Sequence, residues 1–289
     1  MVSAGGRRFG VLGVAAFTVA LAGCDTVGQA TRGPQVAVLE EDKTGTASIN
    51  IESLSDVVQR NPNDASAFNT RGAALARAGR YSDAVADFNK ALQIDPNNAP
   101  AYTNRGLAHR QTNRADAALA DFSKAIQADP NYGPAYIGRA NLYRVQGNYD
   151  AALSDLTQAI RLTPESAEAL HARGLVYQKM ERHREAIIDF DAAIDRNAYV
   201  AAPYEARGQS LIATRQYDKA VEDFNAALNV NNKDASAWAW RGVAFERSGK
   251  RQEAIESYTR ATGIEPNNSV ARAGLGRLQG GVASLNPFR

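Results

Sequence analysis

Residue types that build catalytic and metal centres are scarce in this chain of 289 residues. It contains one cysteine, Cys24, and three histidines, His109, His171 and His183. The histidines share no fixed spacing with acidic or sulfur ligands, so the sequence predicts no metal site. Phosphate-binding loops and nucleophile elbows are also missing. We therefore expect no cofactor and no enzymatic activity.

Long hydrophobic runs and an excess of one charge are missing as well. The apolar stretch Phe9–Ala20 holds twelve residues, whereas a transmembrane helix needs about 20. Lys and Arg total 33 against 31 Asp and Glu, a net charge of +2. Removal of the first 23 residues would remove Arg7 and Arg8 and no acidic residue, leaving no net charge. Such a balance argues against nucleic acid or acidic lipid as a partner.

The N-terminus has the layout of a secretion signal. Arg7 and Arg8 precede the apolar stretch, and Leu21-Ala22-Gly23-Cys24 follows it and matches the bacterial lipobox. The match predicts cleavage before Cys24 and acylation of its thiol by diacylglyceryl and fatty acyl groups such as palmitate; the alternative is a free buried thiol. We expect the protein to be exported and lipid-anchored to the cell membrane or outer membrane, facing the periplasm.

The bulk of the chain, Ala65–Asn268, consists of six units of 34 residues. In the first unit, large residues stand at positions 4 and 24 (Phe68 and Phe88), and small ones at 8, 20 and 27 (Gly72, Ala84 and Ala91). Positions 20 and 27 are alanine in every unit. Gly72 is expected to face Ala84 and Ala91, with the large residues between neighbouring pairs. A fixed period of this length indicates a stacked array, and such arrays present binding surfaces.

Each unit is predicted to contain two helices. In the first unit, Asp64–Ala78 forms the first helix with Asp64 as its N-cap, and Gly79 supplies the turn. Ser82 is expected to cap the second helix. Asp95-Pro96 ends it, because the residue before proline resists helical geometry.

The pattern resembles the tetratricopeptide repeat (TPR) family in its aromatic-x-x-x-Gly start, the alanine and aromatic residue of the second helix, and the terminal Asp-Pro. The resemblance implies an all-α fold: a right-handed superhelical solenoid of helix-turn-helix repeats with terminal capping helices. Ala198 and Asn232 replace the proline of position 32 in the fourth and fifth units, where softer joints are expected.

The predicted domain organisation follows from these patterns. It comprises a lipoprotein signal peptide (1–23), a lipidated N-terminus and flexible linker (24–48), an N-terminal capping helix (49–62), six TPR repeats (63–268), a C-terminal capping helix (269–279) and a tail (280–289).

Position 7 is arginine in every unit, where the family usually has leucine, and position 23 is aspartate in all units but the last, which has Ser257. Because these positions lie on the two helices of one unit, we expect an internal ladder of ion pairs. The alternative is a basic binding stripe. The arginines are Arg71, Arg105, Arg139, Arg173, Arg207 and Arg241, and the aspartates are Asp87, Asp121, Asp155, Asp189 and Asp223.

The resemblance implies a concave groove lined by positions 2, 5, 6, 9, 12 and 13 of the first helices. The candidate partner-binding residues are Asn69, Arg77, Asn104, Arg110, Asn141, Arg144, Lys179, Trp240 and Arg247. His171 lies among them, and Glu205 and Glu246 make the C-terminal third mixed in charge. Arginine and asparagine suit the carboxylates and backbone of an extended peptide; the alternative for any one residue is a solvated surface. Trp240 is expected to turn away from the core as an interface anchor.

The sequence thus favours a membrane-anchored scaffold or adaptor of the bacterial cell envelope. Its groove would bind one or more envelope proteins or peptides, and self-association stays open. The alternatives are an assembly factor for a pilus or secretion complex and an enzyme acting on the cell wall.

Overall fold

A computed structural model of the protein describes residues 46–283. The predicted signal peptide, Cys24, most of the predicted linker and the end of the predicted tail lie outside these residues. The described chain forms fourteen α-helices and no strand, which confirms the all-α solenoid fold. The helices are α1 Thr46–Arg60, α2 Ala65–Arg77, α3 Tyr81–Ile94, α4 Ala99–Gln111, α5 Ala115–Ala128, α6 Gly133–Val145, α7 Tyr149–Leu162, α8 Ala167–Lys179, α9 His183–Arg196, α10 Ala201–Ala213, α11 Tyr217–Val230, α12 Ala235–Arg247, α13 Arg251–Ile264 and α14 Ser269–Ala283.

The helix ends of the first unit agree with the sequence at one cap and differ at another. Asp64 caps α2 as expected, and its carboxylate accepts a hydrogen bond from the backbone N–H of Ser66 at 2.8 Å. Ser82 does not cap α3, so that prediction was wrong. The helix already begins at Tyr81, directly after the tight turn, and Arg80 occupies the N-cap position without a side-chain hydrogen bond.

The turn inside each unit depends on one residue with a left-handed backbone. Position 15 has φ between +57° and +79° in all six units. Glycine takes this conformation without steric cost and occupies the position in three units, as Gly79, Gly147 and Gly249. The turn therefore keeps its geometry throughout the array, although three units carry a larger residue there.

The second helices stop at the same place in units with and without proline. Asp95 precedes Pro96, whereas Asn197 precedes Ala198 and Asn231 precedes Asn232. All three side chains accept a hydrogen bond from the backbone N–H two residues later, at 3.1 Å. This local turn competes with helix continuation, so proline is not required to end the helix.

In every unit but the third, which has Leu156 at position 24, an aromatic ring packs against a glycine of the first helix. The ring of Phe122, fully buried at position 24, lies between Gly106 of its own unit and Gly138 of the next unit. Tyr258 occupies the same place between Gly242 and Gly274. The expectation that Gly72 faces two alanines was wrong, since the nearest atoms to its missing side chain belong to Phe88.

The first helices of the units pack differently from the second helices. Within residues 46–283, each first helix contacts the first helix of the next unit, from α2 with α4 to α12 with α14. The second helices, α3 to α13, contact no other second helix in this part of the chain. Helices that touch their equivalents lie on the inner side of a curved stack. The first helices therefore form the inner surface of the array.

The predicted ladder of ion pairs is confirmed. In five units the arginine at position 7 donates from Nε and Nη2 to both carboxylate oxygens of the aspartate at position 23. The N···O distances are 2.6–2.9 Å. These aspartates are 3–6% exposed. Paired, two-point contacts of this kind are the strong form of charged hydrogen bond.

Several arginines of the ladder also reach the preceding unit. Arg105 donates from Nη1 to Asn89 at 2.6 Å, and Arg207 donates to Asp191 at the same distance. Each of these guanidinium groups thus joins three helices. The hydrogen bond to the carboxylate raises the pKa of the five paired arginines.

The last unit has Ser257 at position 23 and therefore lacks the carboxylate that pairs with arginine in the other units. Arg241 donates from Nε to the hydroxyl of Ser257 at 3.2 Å and from Nη1 to Asn225 at 2.9 Å. Its guanidinium stacks 4.1 Å from the centre of the Trp238 ring, closer than in the other units. Burial lowers the pKa of Arg241, in the direction opposite to the paired arginines.

Two substitutions should change stability in opposite directions. Asp189→Asn removes the negative charge that pairs with Arg173 and should lower the free energy of unfolding by about 3 kcal/mol. Ser257→Asp supplies Arg241 with the carboxylate that its unit lacks and should raise it by about 1 kcal/mol. Urea unfolding followed by circular dichroism measures both changes. Equal stability of both variants and the parent would show that the pairing of positions 7 and 23 does not stabilise the units.

Alanine in place of glycine should reveal the tight ring contacts. In Gly174→Ala the new Cβ would lie 2.5 Å from the Phe190 ring, and we expect a loss of about 1–3 kcal/mol through overpacking. Gly263→Ala is the matched control, because it is also helical and nothing lies within 4 Å of its Cβ. Higher helix propensity should then give a gain of up to about 1 kcal/mol. Thermal unfolding compares the two variants, and a similar response of both would contradict the tight contact.

Candidate functional site

The inner surface formed by the first helices is the candidate site, and its exposed charges lie near helix ends. Arg77, Lys179 and Arg247 occupy position 13, in the last turns of α2, α8 and α12, and all three are exposed. Cations are favourable there because the helix C-terminus carries partial negative charge. These residues are free to reach a partner or to remain in water.

The predicted asparagines differ in exposure. Asn104 is buried and donates from its side-chain nitrogen to the side-chain oxygen of Asn69 at 3.0 Å. This hydrogen bond joins two neighbouring first helices, so Asn104 contributes little surface. Asn141 is half-buried, and its side chain forms no such hydrogen bond among the described residues. Of the three predicted asparagines, Asn69, Asn104 and Asn141, the last has the side-chain amide most available to a ligand.

Arg110 and Arg144 occupy position 12 of α4 and α6 in consecutive units. Both are half-buried, and within the described chain neither donates a hydrogen bond or forms an ion pair. The Nε atom of Arg144 is fully buried without an acceptor. Burial lowers the pKa of both guanidinium groups, and that of Arg110 is lowered further by Arg144. The two residues therefore form a pair of unpartnered cations, which we call the Arg110–Arg144 pair.

Two ionisable residues flank this pair. His171 on α8 is half-buried and its ring lies against Phe190, with centroids 5.7 Å apart. Burial lowers the pKa of His171 to about 4, and the charge of Arg144 lowers it too. Its imidazole is therefore neutral at pH 7. Glu168 is exposed on the same helix and attracts Arg110 electrostatically, although desolvation by the surrounding protein raises the pKa of its carboxyl.

The C-terminal part of the surface carries a pair of acidic groups. Burial raises the pKa of Glu205 to about 7, and the neighbouring carboxylate of Asp234 adds to the shift. Burial and the nearby carboxylate thus both disfavour the charged form of Glu205. Asp234 is also the N-cap of α12 and accepts a hydrogen bond from the backbone N–H of Ala237.

Two predicted groove residues have structural contacts instead. Glu246 accepts hydrogen bonds from Arg277 of α14 at 2.8 and 2.9 Å, and from the buried hydroxyl of Tyr258 at 2.6 Å. It attaches the last helix to the array. Trp240 was expected to turn away from the core, and this was wrong. It is half-buried and packs beside Phe224 and Leu211, because position 6 lies next to the ring of the preceding unit.

Glu168 and Asp234 were not predicted from the sequence as residues of the inner surface. Glu168 occupies position 2, which belongs to the groove set, so the same rule should have included it. Asp234 has the sequence signature of an N-cap, which gave no indication that it lies near Glu205.

Within residues 46–283 no group of three or more His, Cys, Asp or Glu is placed to hold a metal. No helix in that range is long and apolar enough to cross a bilayer.

Family models for this repeat match most of the array. A TPR repeat model matches residues 72–113 and 140–181. Three tetratricopeptide repeat models match residues 99–132, 167–199 and 205–269. No curated protein sequence matches the chain significantly.

Solved structures share the architecture. The chain is similar over 81% of its length to a chain of the APC/C hetero-tetramer Cut9–Hcn1, with a TM-score of 0.73 and 20% identity, and spans 46% of that chain. It matches PilF of Pseudomonas aeruginosa with a TM-score of 0.67 and 18% identity, covering 74% of this chain and 97% of the other. YrrB, described as a TPR protein with an unusual peptide-binding site, is 26% identical, with a TM-score of 0.53 and coverage of 64% and 96%.

Proposed function

Because this chain belongs to the tetratricopeptide repeat family, whose arrays act as protein–protein interaction scaffolds, we propose that it is a lipid-anchored adaptor of a bacterial cell envelope. In this proposal the inner surface of the first helices binds an extended segment of an envelope protein. The lipid on Cys24 holds the array at the membrane. The protein carries out no chemical step of its own.

The observation that supports binding on the inner surface is the contrast between two sets of arginines. The arginines at position 7 all have acceptors inside the array, whereas Arg110 and Arg144 on the inner surface have none in the described chain. Half-buried donors without acceptors gain more from a ligand than solvated ones do. The peptide-binding site described for YrrB, at 26% identity, is consistent with this use of the fold.

The lipid anchor is supported by the sequence motif. Leu21-Ala22-Gly23-Cys24 follows an apolar stretch that is itself preceded by two arginines. Acylation with two or more chains gives stable membrane attachment, while a single chain gives marginal attachment. In this proposal the chain is exported and faces the periplasm, from either the cell membrane or the outer membrane.

A second candidate function is assembly of a pilus or secretion complex. It is the alternative that the sequence leaves open, and the likeness to PilF, at 18% identity, adds the shared fold alone. An adaptor would bind a soluble envelope enzyme, whereas an assembly factor would bind a subunit of a polymeric machine. The identity of the protein bound on the inner surface separates the two.

Membrane attachment should depend on Cys24. We expect Cys24→Ser to move the protein from the membrane fraction to the soluble fraction, since serine cannot accept the thioether-linked lipid. Gln29→Ser is the control because it leaves the lipobox intact. Cell fractionation with immunodetection measures the distribution. Retention of Cys24→Ser in the membrane fraction would contradict the lipid anchor.

Partner contacts should be confined to the inner surface. We expect a photo-crosslinking residue in place of Arg77 or Lys179 to capture one dominant partner in intact cells. The same residue in place of Lys90 or Lys219, exposed on second helices, should capture little. Mass spectrometry identifies the adducts. Equal capture from both sets, or none from the inner set, would contradict binding at this surface.

A further inference from the structure

We propose that the Arg110–Arg144 pair binds carboxylates of an acidic segment in the protein partner. This inference rests on the proposed function, because it names the chemistry of the ligand at the same inner surface. It also differs from the carboxylate clamp of cytosolic TPR cochaperones, which uses lysine at position 5 and asparagine at position 9. Here position 5 holds no lysine, and Asn141 alone matches at position 9.

The hydrogen-bonding capacity of the Arg110–Arg144 pair is unused in the described chain. Each guanidinium has five N–H donors in a planar fork that matches a carboxylate. Elsewhere in this array that fork is filled, as in Arg139, which donates to both oxygens of Asp155 at 2.8 Å. Arg110 and Arg144 have no acceptor among the described residues, and because Nε of Arg144 is buried, its Nη groups are the donors left for a ligand. Their exposed donors are therefore suited to an acidic ligand.

The two guanidinium groups of the pair repel each other. The positive charge of Arg144 lowers the pKa of Arg110, so the two cations act on each other across neighbouring units. A negative group between two like charges is attracted by both and relieves their repulsion. One bridging carboxylate, or two carboxylates on consecutive turns of an extended chain, would supply it.

The groups around the pair leave it positive. His171 is neutral at pH 7 and contributes a hydrogen-bonding imidazole without charge. Glu168 attracts Arg110 but forms no ion pair with it within the described residues. The four groups therefore retain a net positive charge that an acidic ligand would neutralise.

The neighbouring side chains favour a polypeptide as the source of the carboxylate. Asn141 lies three residues before Arg144, on the same face of α6. Its amide can both donate to and accept from a peptide backbone, while Arg144 binds an acidic side chain of the same segment. Small inorganic anions would use the arginines but not this amide.

Selection from a random twelve-residue peptide library on the immobilised full chain tests the proposal. We expect the parent chain to retain peptides enriched in Asp and Glu. Arg110→Gln/Arg144→Gln should lose this enrichment. The control Lys90→Gln/Lys219→Gln, which removes the same charge from exposed positions on second helices, should keep it.

Measured affinities then give the size of the contribution that the arginine pair makes to peptide binding. For the peptide most enriched on the parent chain, fluorescence anisotropy should show binding on the order of 10- to 100-fold weaker to the double arginine variant. Replacing the acidic residues of that peptide by Asn and Gln should give a similar loss. Glu168→Gln removes a competing carboxylate and should tighten binding, an effect that a purely structural role of Arg110 would not produce.

The outcomes separate this inference from the function on which it rests. Retention of peptides without acidic enrichment, or equal binding by the parent and the double arginine variant, would overturn the inference and leave groove binding intact. Retention of no peptide by any version would overturn both. Because the substituted arginines have no partners in the array, thermal unfolding of the double variant should match the parent, so lost binding would not reflect lost folding.

Discussion

The packing of the large side chain at position 24 between the helices of its own unit and the first helix of the next unit is the contact on which this array depends. Phe122 shows it most clearly, since its ring touches Gly106 within the unit and Gly138 in the next. The ring joins the two helices of a unit and also joins that unit to its neighbour. Because the contact repeats, the first helices are held against each other and the second helices are not. The inner surface follows from this packing.

Arginine has two separate roles in the chain. Arg173 and its equivalents at position 7 neutralise a buried aspartate and join helices, so their charge is used inside the structure. Arg110 and Arg144 present the same chemistry to the inner surface without a carboxylate. A count of basic residues cannot distinguish these roles, since the distinction is whether an acceptor lies within hydrogen-bonding distance. For this reason the near-zero net charge of the chain conceals a local positive site.

Much of the fold could be predicted from the sequence because each unit repeats the same local signals. The Asp64 cap, the end of α3 and the pairing of position 7 with position 23 all follow from residues spaced within one unit. The predictions that failed concern contacts between units, a small shift at a turn and, at Gly72, the ring of Phe88 within the same unit. Trp240 packs against the core cluster that contains Phe224 of the preceding unit. A pattern read within one unit cannot show a contact with the preceding one.

The sequence by itself determined the period, the two helices of each unit and the partner of each arginine at position 7, since these depend on neighbours at fixed separations. It also identified most of the residues that line the inner surface. Only the tertiary structure decided which of them are available. Asn104 is buried, Trp240 is half-buried against the core, Glu246 binds Arg277, and the Arg110–Arg144 pair has no acceptor among the described residues. Availability depends on distances between units, and those are set by the packing of whole helices.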